Sequence, residues 1–133
     1  MELKKSYKGL VFWVLGYTTA IFCPLFFTHD TALVIRLTMN ITTAGMALLC
    51  GIILKTEAVY WFNGTEYEEA VKAGTERRKA FARKHFDVFF WFATLYFLFS
   101  VLMHLLQASF WIDFSVGCIG LIAAAISTIR FKL

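Results

Sequence analysis

Residues 88–106 read VFFWFATLYFLFSVLMHLL, a run of 19 residues that contains no Asp, Glu, Lys or Arg. A helix of that length roughly matches the thickness of the hydrocarbon core of a bilayer. Three further stretches have a similar length and composition, namely residues 10–27, 32–54 and 110–129. The sequence therefore predicts an all-α integral membrane protein with four transmembrane helices, arranged as two antiparallel hairpins.

Composition limits the chain to a single membrane domain covering residues 1–133. Hydrophobic residues make up 59% of the sequence and aromatic residues 18%, whereas roughly half of a soluble domain is apolar. The only long polar segment between spans, residues 55–87, is too short for an independent globular core. We therefore expect no soluble catalytic domain.

The N-terminal end could also be read as a secretory signal peptide, because Lys4, Lys5 and Lys8 precede the first apolar run. That run is longer than the signal core of about 7 to 15 residues, and no small-x-small cleavage site follows Phe27. We predict that the run is retained as the first span. Pro24 is expected to kink or end its helix near residues 20–23.

The distribution of basic residues predicts the topology. Of the 13 Lys and Arg residues, three precede the first span, seven lie between the second and third, and two follow the fourth; only Arg36 falls on the opposite side. By the positive-inside rule, both termini and residues 55–87 are cytoplasmic. The outer turns, residues 28–31 and about 107–109, are short. We expect a multi-pass protein, with a bacterial plasma membrane as the expected location.

The segment between the second and third spans is predicted to be an amphipathic, basic helix. Thr65 to Glu68 matches a capping box, so the helix should begin at Glu66, and Gly74 should interrupt it. After Gly74 a basic stretch continues into the third span without a helix breaker. Five of its residues are predicted to contact anionic lipid headgroups or a protein partner: Arg77, Arg78, Lys79, Arg83 and Lys84.

The basic stretch has two other interpretations. Juxtamembrane Lys and Arg also occur simply because they set topology. Nucleic-acid binding is not expected, because residues 55–87 carry six acidic residues against seven basic ones and no nucleic-acid-binding motif.

Small residues recur at helical spacing on three spans and predict close helix packing. The sets are Gly16 and Ala20; Thr43, Ala47 and Gly51; and Gly120, Ala124 and Thr128. The third span is bulky on every side, so it either faces lipid or fills gaps against the small residues. Packing within one chain and a homo-oligomer interface both remain open from the sequence.

Polar residues gather toward the outer ends of the spans and form the candidate binding site: His29, Asp30, Arg36, Asn40, His104 and Asp113. Arg36 and His104 matter most, because an ionisable group within an apolar span is costly and is often functional. Asp30 or Asp113 is the expected partner of Arg36. The alternative is that Arg36 and His104 only reach up to the headgroups.

No cofactor or metal is predicted, because the His, Asp and Cys spacings match no known metal pattern. The three cysteines form no Cys-x-x-Cys pair, although a Cys23–Cys118 disulfide stays open. Motifs for phosphate binding, for a serine nucleophile and for a zinc protease are missing from the sequence. The chain is therefore not expected to be an enzyme.

Two functions follow as hypotheses. The first is an interaction protein, either a subunit of a larger membrane complex or a homo-oligomer. The second is a small transporter or channel that uses Arg36, Asn40 and His104, and a membrane-embedded enzyme ranks third. A transporter must expose Arg36 and Asn40 to water, whereas an interaction protein can keep them paired and dry.

Overall fold

The computed structural model describes residues 2–62 and 64–133, and this part of the chain is helical without strands. Its elements are α1 (Lys8–Phe22), α2 (Pro24–Phe27), α3 (Thr31–Thr56), a short 3-10 turn (Val59–Trp61), α4 (Tyr67–Leu105) and α5 (Phe110–Thr128). Four stretches are long and apolar enough to cross a membrane: Lys8–Phe27, Thr31–Thr56, Tyr67–Leu105 and Phe110–Thr128. The prediction of four such helices is confirmed.

The ends of the first helices follow local chemistry. Pro24 lacks a backbone N–H and occupies the first position of α2, so α1 ends at Phe22 as the sequence predicted. Asp30 is the N-cap of α3, where its Oδ1 accepts hydrogen bonds from the N–H groups of Ala32 (2.9 Å) and Leu33 (3.3 Å). This cap satisfies two backbone donors at the start of α3.

Helix α4 is one long element with a kink. Its N-cap is Glu66, so the helix begins at Tyr67, one residue later than predicted. The backbone N–H of Glu66 donates to Glu69 Oε2 (3.4 Å), which moves the capping box by one residue from the predicted one. Gly74 has φ 75° and ψ 166°, a conformation that favours glycine, and it interrupts the helix as predicted. Beyond it, the basic stretch and the third span form one helix.

Aromatic side chains of α4 fill the space above glycines of α5. A side chain at Gly120 would collide with Phe92, and one at Gly117 would collide with Met39 and press on Tyr96. Close approach of a bulky helix to a helix with small residues is a common solution in membrane bundles. The small residues of α5 are therefore used inside the molecule.

Helix α1 lies at the periphery, against α3. The ring of Tyr17 packs over Gly45, and its hydroxyl donates to the carbonyl of Thr42 (3.1 Å). Helix α1 contributes no buried residue, and no atom lies within 4 Å of a side chain added at Gly16. The surface of α1 around Gly16 is therefore not used inside the molecule.

Both chain ends meet the segment that follows α3. Residues 2–7, 57–62, 64–87 and 129–133, called here the terminal layer, pack around a core whose buried members are Ile53, Ala58, Val59, Tyr60, Ala70, Phe81 and Ala82. Tyr67 donates its hydroxyl to the carbonyl of Leu3 (2.6 Å), and Trp61 donates its indole N–H to the carbonyl of Ser6 (3.0 Å). The segment thus gains a core by sharing it with α3 and both chain ends.

Candidate functional site

Arg36 and Asp113 form a buried ion pair at the end of the helices opposite the terminal layer. Arg36 lies in the second turn of α3 and Asp113 in the first turn of α5, with Arg36 Nε 2.9 Å from Asp113 Oδ2. Arg36 is 5% exposed and Asp113 is 0% exposed. Of the two predicted acidic partners, Asp113 holds Arg36, because Asp30 is occupied as the N-cap of α3.

The remaining donors of Arg36 contact groups at, and just after, the C-terminal end of α4. Its Nη2 donates to the carbonyls of Ala108 and Met103, the latter at 3.5 Å. Its Nη1 lies 3.4 Å from Nδ1 of His104, a contact that requires an unprotonated Nδ1 as the acceptor. The Met103 carbonyl also accepts a hydrogen bond from the N–H of Ala108 (3.0 Å), and a positive guanidinium beside the C-terminal end of a helix is favourably placed. The Arg36 side chain is buried inside the protein, whereas His104 is exposed.

Asn40 extends this network along α3. Its Nδ2 donates to Ser100 Oγ (2.9 Å) and to the carbonyl of Arg36 (2.8 Å), and the hydroxyl of Ser100 donates to Asp113 Oδ2 (3.4 Å). The hydroxyl of Tyr96 donates to the carbonyl of Asp113 (2.9 Å). Arg36, Asn40, Tyr96, Ser100 and Asp113 are called here the polar cluster, and they join α3, α4 and α5.

Tyr96 and Ser100 were not among the predicted site residues. A usable signal exists, since Tyr96, Ser100 and His104 recur every four residues and so share one face of an apolar helix. The structure brings together Arg36, Asn40, His104 and Asp113 from the predicted set. His29 and Asp30 are exposed and lie outside the polar cluster.

The interactions of the polar cluster hold helices α3, α4 and α5 together. A guanidinium and a carboxylate buried side by side compensate each other, and each also has further hydrogen-bond partners. Within the described residues, Asn40 Oδ1 is the buried oxygen of the cluster that lacks a hydrogen-bond partner. The cluster contains no Ser–His or Cys–His pair of the kind that activates a nucleophile.

A second buried ion pair, Glu57 with Arg78, lies in the terminal layer. Arg78 Nη2 is 2.7 Å from Glu57 Oε2, and each residue is 3% exposed. Burial raises the pKa of the Glu57 carboxyl. The hydrogen bond and charge of Arg78, together with the charge of Lys79, outweigh that effect, so the pKa lies below its ordinary value of 4.5. Arg78 Nη1 also donates to the carbonyl of Ala70 (3.0 Å).

This pair corrects one prediction. Arg78 was expected to contact headgroups or a partner, but its guanidinium is buried and bound to Glu57. Glu57 itself was not predicted, because its role depends on a left-handed backbone conformation (φ 60°) that ends α3 and turns the side chain toward α4.

The other four predicted basic residues are exposed: Arg77, Lys79, Arg83 and Lys84. Lys79 Nζ lies 3.8 Å from Glu57 Oε1, and Arg83 Nε lies 3.3 Å from Asp87 Oδ1 in an exposed pair one helical turn apart. An exposed pair such as Arg83 with Asp87 contributes little to stability. This side of α4 therefore carries an accessible positive surface.

The described residues form neither a metal-binding group nor a disulfide. No group of three or more His, Cys, Asp or Glu residues there could hold a metal ion. All three cysteines are free, with Cys23 exposed and Cys50 buried, so the disulfide considered between Cys23 and Cys118 is not formed.

Comparison with protein-family models, with curated proteins and with solved structures found no match.

Proposed function

We propose that this chain is a non-enzymatic membrane protein that works through contacts with other proteins, as a subunit of a larger complex or as a homo-oligomer. The observation that carries the proposal is the buried pair of Arg36 and Asp113. These are the two charged residues within the spans predicted from the sequence. They pair with each other, and Arg36 also donates to the carbonyl of Ala108 while Asp113 Oδ2 accepts from the hydroxyl of Ser100. We therefore infer that the protein contacts involve surface residues.

In the bilayer, we propose two antiparallel hairpins, with both termini and the terminal layer in the cytoplasm. The exposed Arg77, Lys79, Arg83 and Lys84 support this orientation through the positive-inside rule. The same residues would form the cytoplasmic contact with anionic headgroups or an acidic partner. The short turns before α3 and before α5 would then face the outside.

The alternative, a small transporter or channel, would need Arg36 and Asn40 in contact with water. Arg36 is 5% exposed, and its donors bind Asp113, Ala108 and Met103. A pathway through this pair would first have to break it, at the cost of a buried charge without a partner. The geometry favours a fixed structural role for the polar cluster.

Helix α1 is the surface that we propose for a partner helix. It buries no residue, and the space around Gly16 is open. Small residues on an open helix face let another backbone approach closely, which is how membrane helices associate. Gly16 and Ala20 then serve an interface between chains, while Gly117 and Gly120 serve packing within the chain.

The test is the composition of the particle extracted from its own membrane. Polymer-encased native nanodiscs should hold either several copies of the 15.2 kDa chain or a second protein at fixed stoichiometry, as read by single-molecule photobleaching and native mass spectrometry. Gly16→Leu should reduce the association. Ala123→Leu, at an exposed position of α5, is the matched control. Nanodiscs that contain one copy and no other protein would refute the proposal.

A further inference from the structure

A cavity of about 1230 Å³ opens between α3, α4, α5 and the C-terminal residues, on the side of the terminal layer. Its inner wall is apolar and belongs to the membrane-spanning helices, with Met46 and Cys50 from α3, Phe89 from α4, and Ile122 and Ile126 from α5. The volume exceeds the usual range of small-molecule pockets, roughly 300–1,000 Å³. It therefore offers room for an extended chain.

The mouth of the cavity is positively charged. Lys72, Arg77 and Lys132 line it and are exposed, against Glu69 as the lining acidic side chain. Among residues 2–62 and 64–133, no carboxylate side chain lies within 4.0 Å of Lys72 or Lys132. Arg77 donates from Nη2 to the main-chain oxygen of Leu133 (3.2 Å), which leaves most of its donors for other groups.

We propose that this cavity binds one anionic phospholipid from the surrounding bilayer. The phosphate would lie among Lys72, Arg77 and Lys132, and an acyl chain would lie against Met46, Phe89 and similar residues. A positive mouth above an apolar interior matches an amphiphile with a charged head, and clustered Lys and Arg beside a membrane helix favour acidic headgroups. The inference rests on the proposed membrane placement of the chain.

A second groove lacks the charged residues that line the mouth of this cavity. The groove between α3 and α4, about 670 Å³, is lined by apolar side chains with Asn40 and Thr94 and by no charged residue. It has no feature that would distinguish an anionic lipid from a neutral one. Preference for an anionic headgroup therefore belongs to the cavity with the charged mouth.

Lipid binding by the purified full-length protein in detergent tests the proposal. Native mass spectrometry would compare phosphatidylglycerol with phosphatidylcholine of the same acyl chains. We expect the phosphatidylglycerol adduct to be favoured, with a loss of roughly fivefold in affinity for each of the three charges removed by Lys72→Gln, Arg77→Gln and Lys132→Gln.

The matched control removes the same charge outside the cavity. Lys4→Gln, Lys8→Gln and Lys55→Gln change exposed residues that do not line it. This triple variant should keep the preference. An equal loss in both triple variants would overturn the proposal in favour of diffuse attraction to the net positive charge of the protein.

The acyl chain needs its own test, because the headgroup experiment does not locate it. Ala125→Trp adds a large side chain inside the cavity, whereas Ala123→Trp adds the same side chain at an exposed position of α5 that does not line it. Only the first variant should lose the bound lipid. A lipid with a photoreactive acyl chain should cross-link to Met46, Phe89 or Ile126; cross-links confined to α1 would refute the site.

The lipid-binding test and the test of the proposed function can each fail while the other succeeds. Lipid binding is measured on the isolated chain in detergent, whatever its partners are. The particle composition described above is measured in native membrane, whatever lipid the cavity holds.

Discussion

Arg36 Nε and Asp113 Oδ2 lie 2.9 Å apart although the two residues are 77 positions apart in the chain. The pair ties the start of α3 to the start of α5, and the contacts of Arg36 with Ala108 and Met103 tie both to the end of α4. The side chain of Arg36 thus holds three helices together.

Arg36→Ala should destabilise the protein by about 3–5 kcal/mol, because it leaves the carboxylate of Asp113 buried without its partner. Thermal unfolding in detergent measures this. The double variant Arg36→Ala with Asp113→Ala should recover part of the loss. Asp30→Ala, which removes only a helix cap, should cost about 1 kcal/mol. Unchanged stability of Arg36→Ala would show that the pair is not a structural fastener.

Stability should fall in acid through Glu57. Because the pKa of its carboxyl is lower in the folded protein than its ordinary value of 4.5, the group stabilises the fold above that pH. The stabilisation is lost as the pH falls below 4.5 through the folded-state pKa. Glu57→Gln should be less stable at neutral pH and should show a shallower acid dependence of the melting temperature.

The control for Glu57 is Glu68→Gln, at an exposed position of the first turn of α4. It should leave both the melting temperature and its acid dependence close to those of the parent protein. An acid dependence that persists in full in Glu57→Gln would assign it to other carboxylates.

Replacement by alanine should change the free energy of unfolding differently at two glycines. Gly74→Ala should cost about 1–3 kcal/mol, since φ 75° with ψ 166° lies in a region that is essentially restricted to glycine. Gly16→Ala lies inside α1 with open space around it and should be neutral or stabilising by roughly 0.5–1 kcal/mol. Chemical denaturation of the two variants measures both. A stable Gly74→Ala would argue against the kink in α4.

Topology is tested by cysteine accessibility in a cysteine-free background. If the terminal layer is cytoplasmic, single cysteines at Lys5, Lys79 and Lys132 should be shielded from an impermeant thiol reagent in intact cells. A cysteine at His29, which is exposed in the turn before α3, should react. Labelling at position 79 from outside the cell would reverse the proposed orientation and the argument from the charges.

The elements that could be predicted from the sequence are those fixed by local chemistry. The long apolar helices follow from composition and length, the break at Pro24 from a missing N–H, and the kink at Gly74 from backbone freedom. The start of α4 was displaced by one residue, because both Thr65 and Glu66 are chemically able to cap a helix.

Pairing across helices could be predicted only in part. Arg36 stood out because a charge in an apolar span needs a partner, but two aspartates were available. The choice of Asp113 depends on Asp30 being used locally as a cap. The pair of Glu57 and Arg78 depends on the turn after α3, and no periodicity in the sequence encodes that.

The continuity of α4 beyond Gly74 has a mechanical consequence. From Thr75 to Leu105 the helix is a rod of about 46 Å at 1.5 Å per residue. Near one end it is anchored through Arg78, and at the other it is met by Arg36 at His104 and Met103. A rod fixed at both ends cannot slide or tilt without straining one anchor, so we expect the two ends of the protein to unfold together in a single cooperative transition.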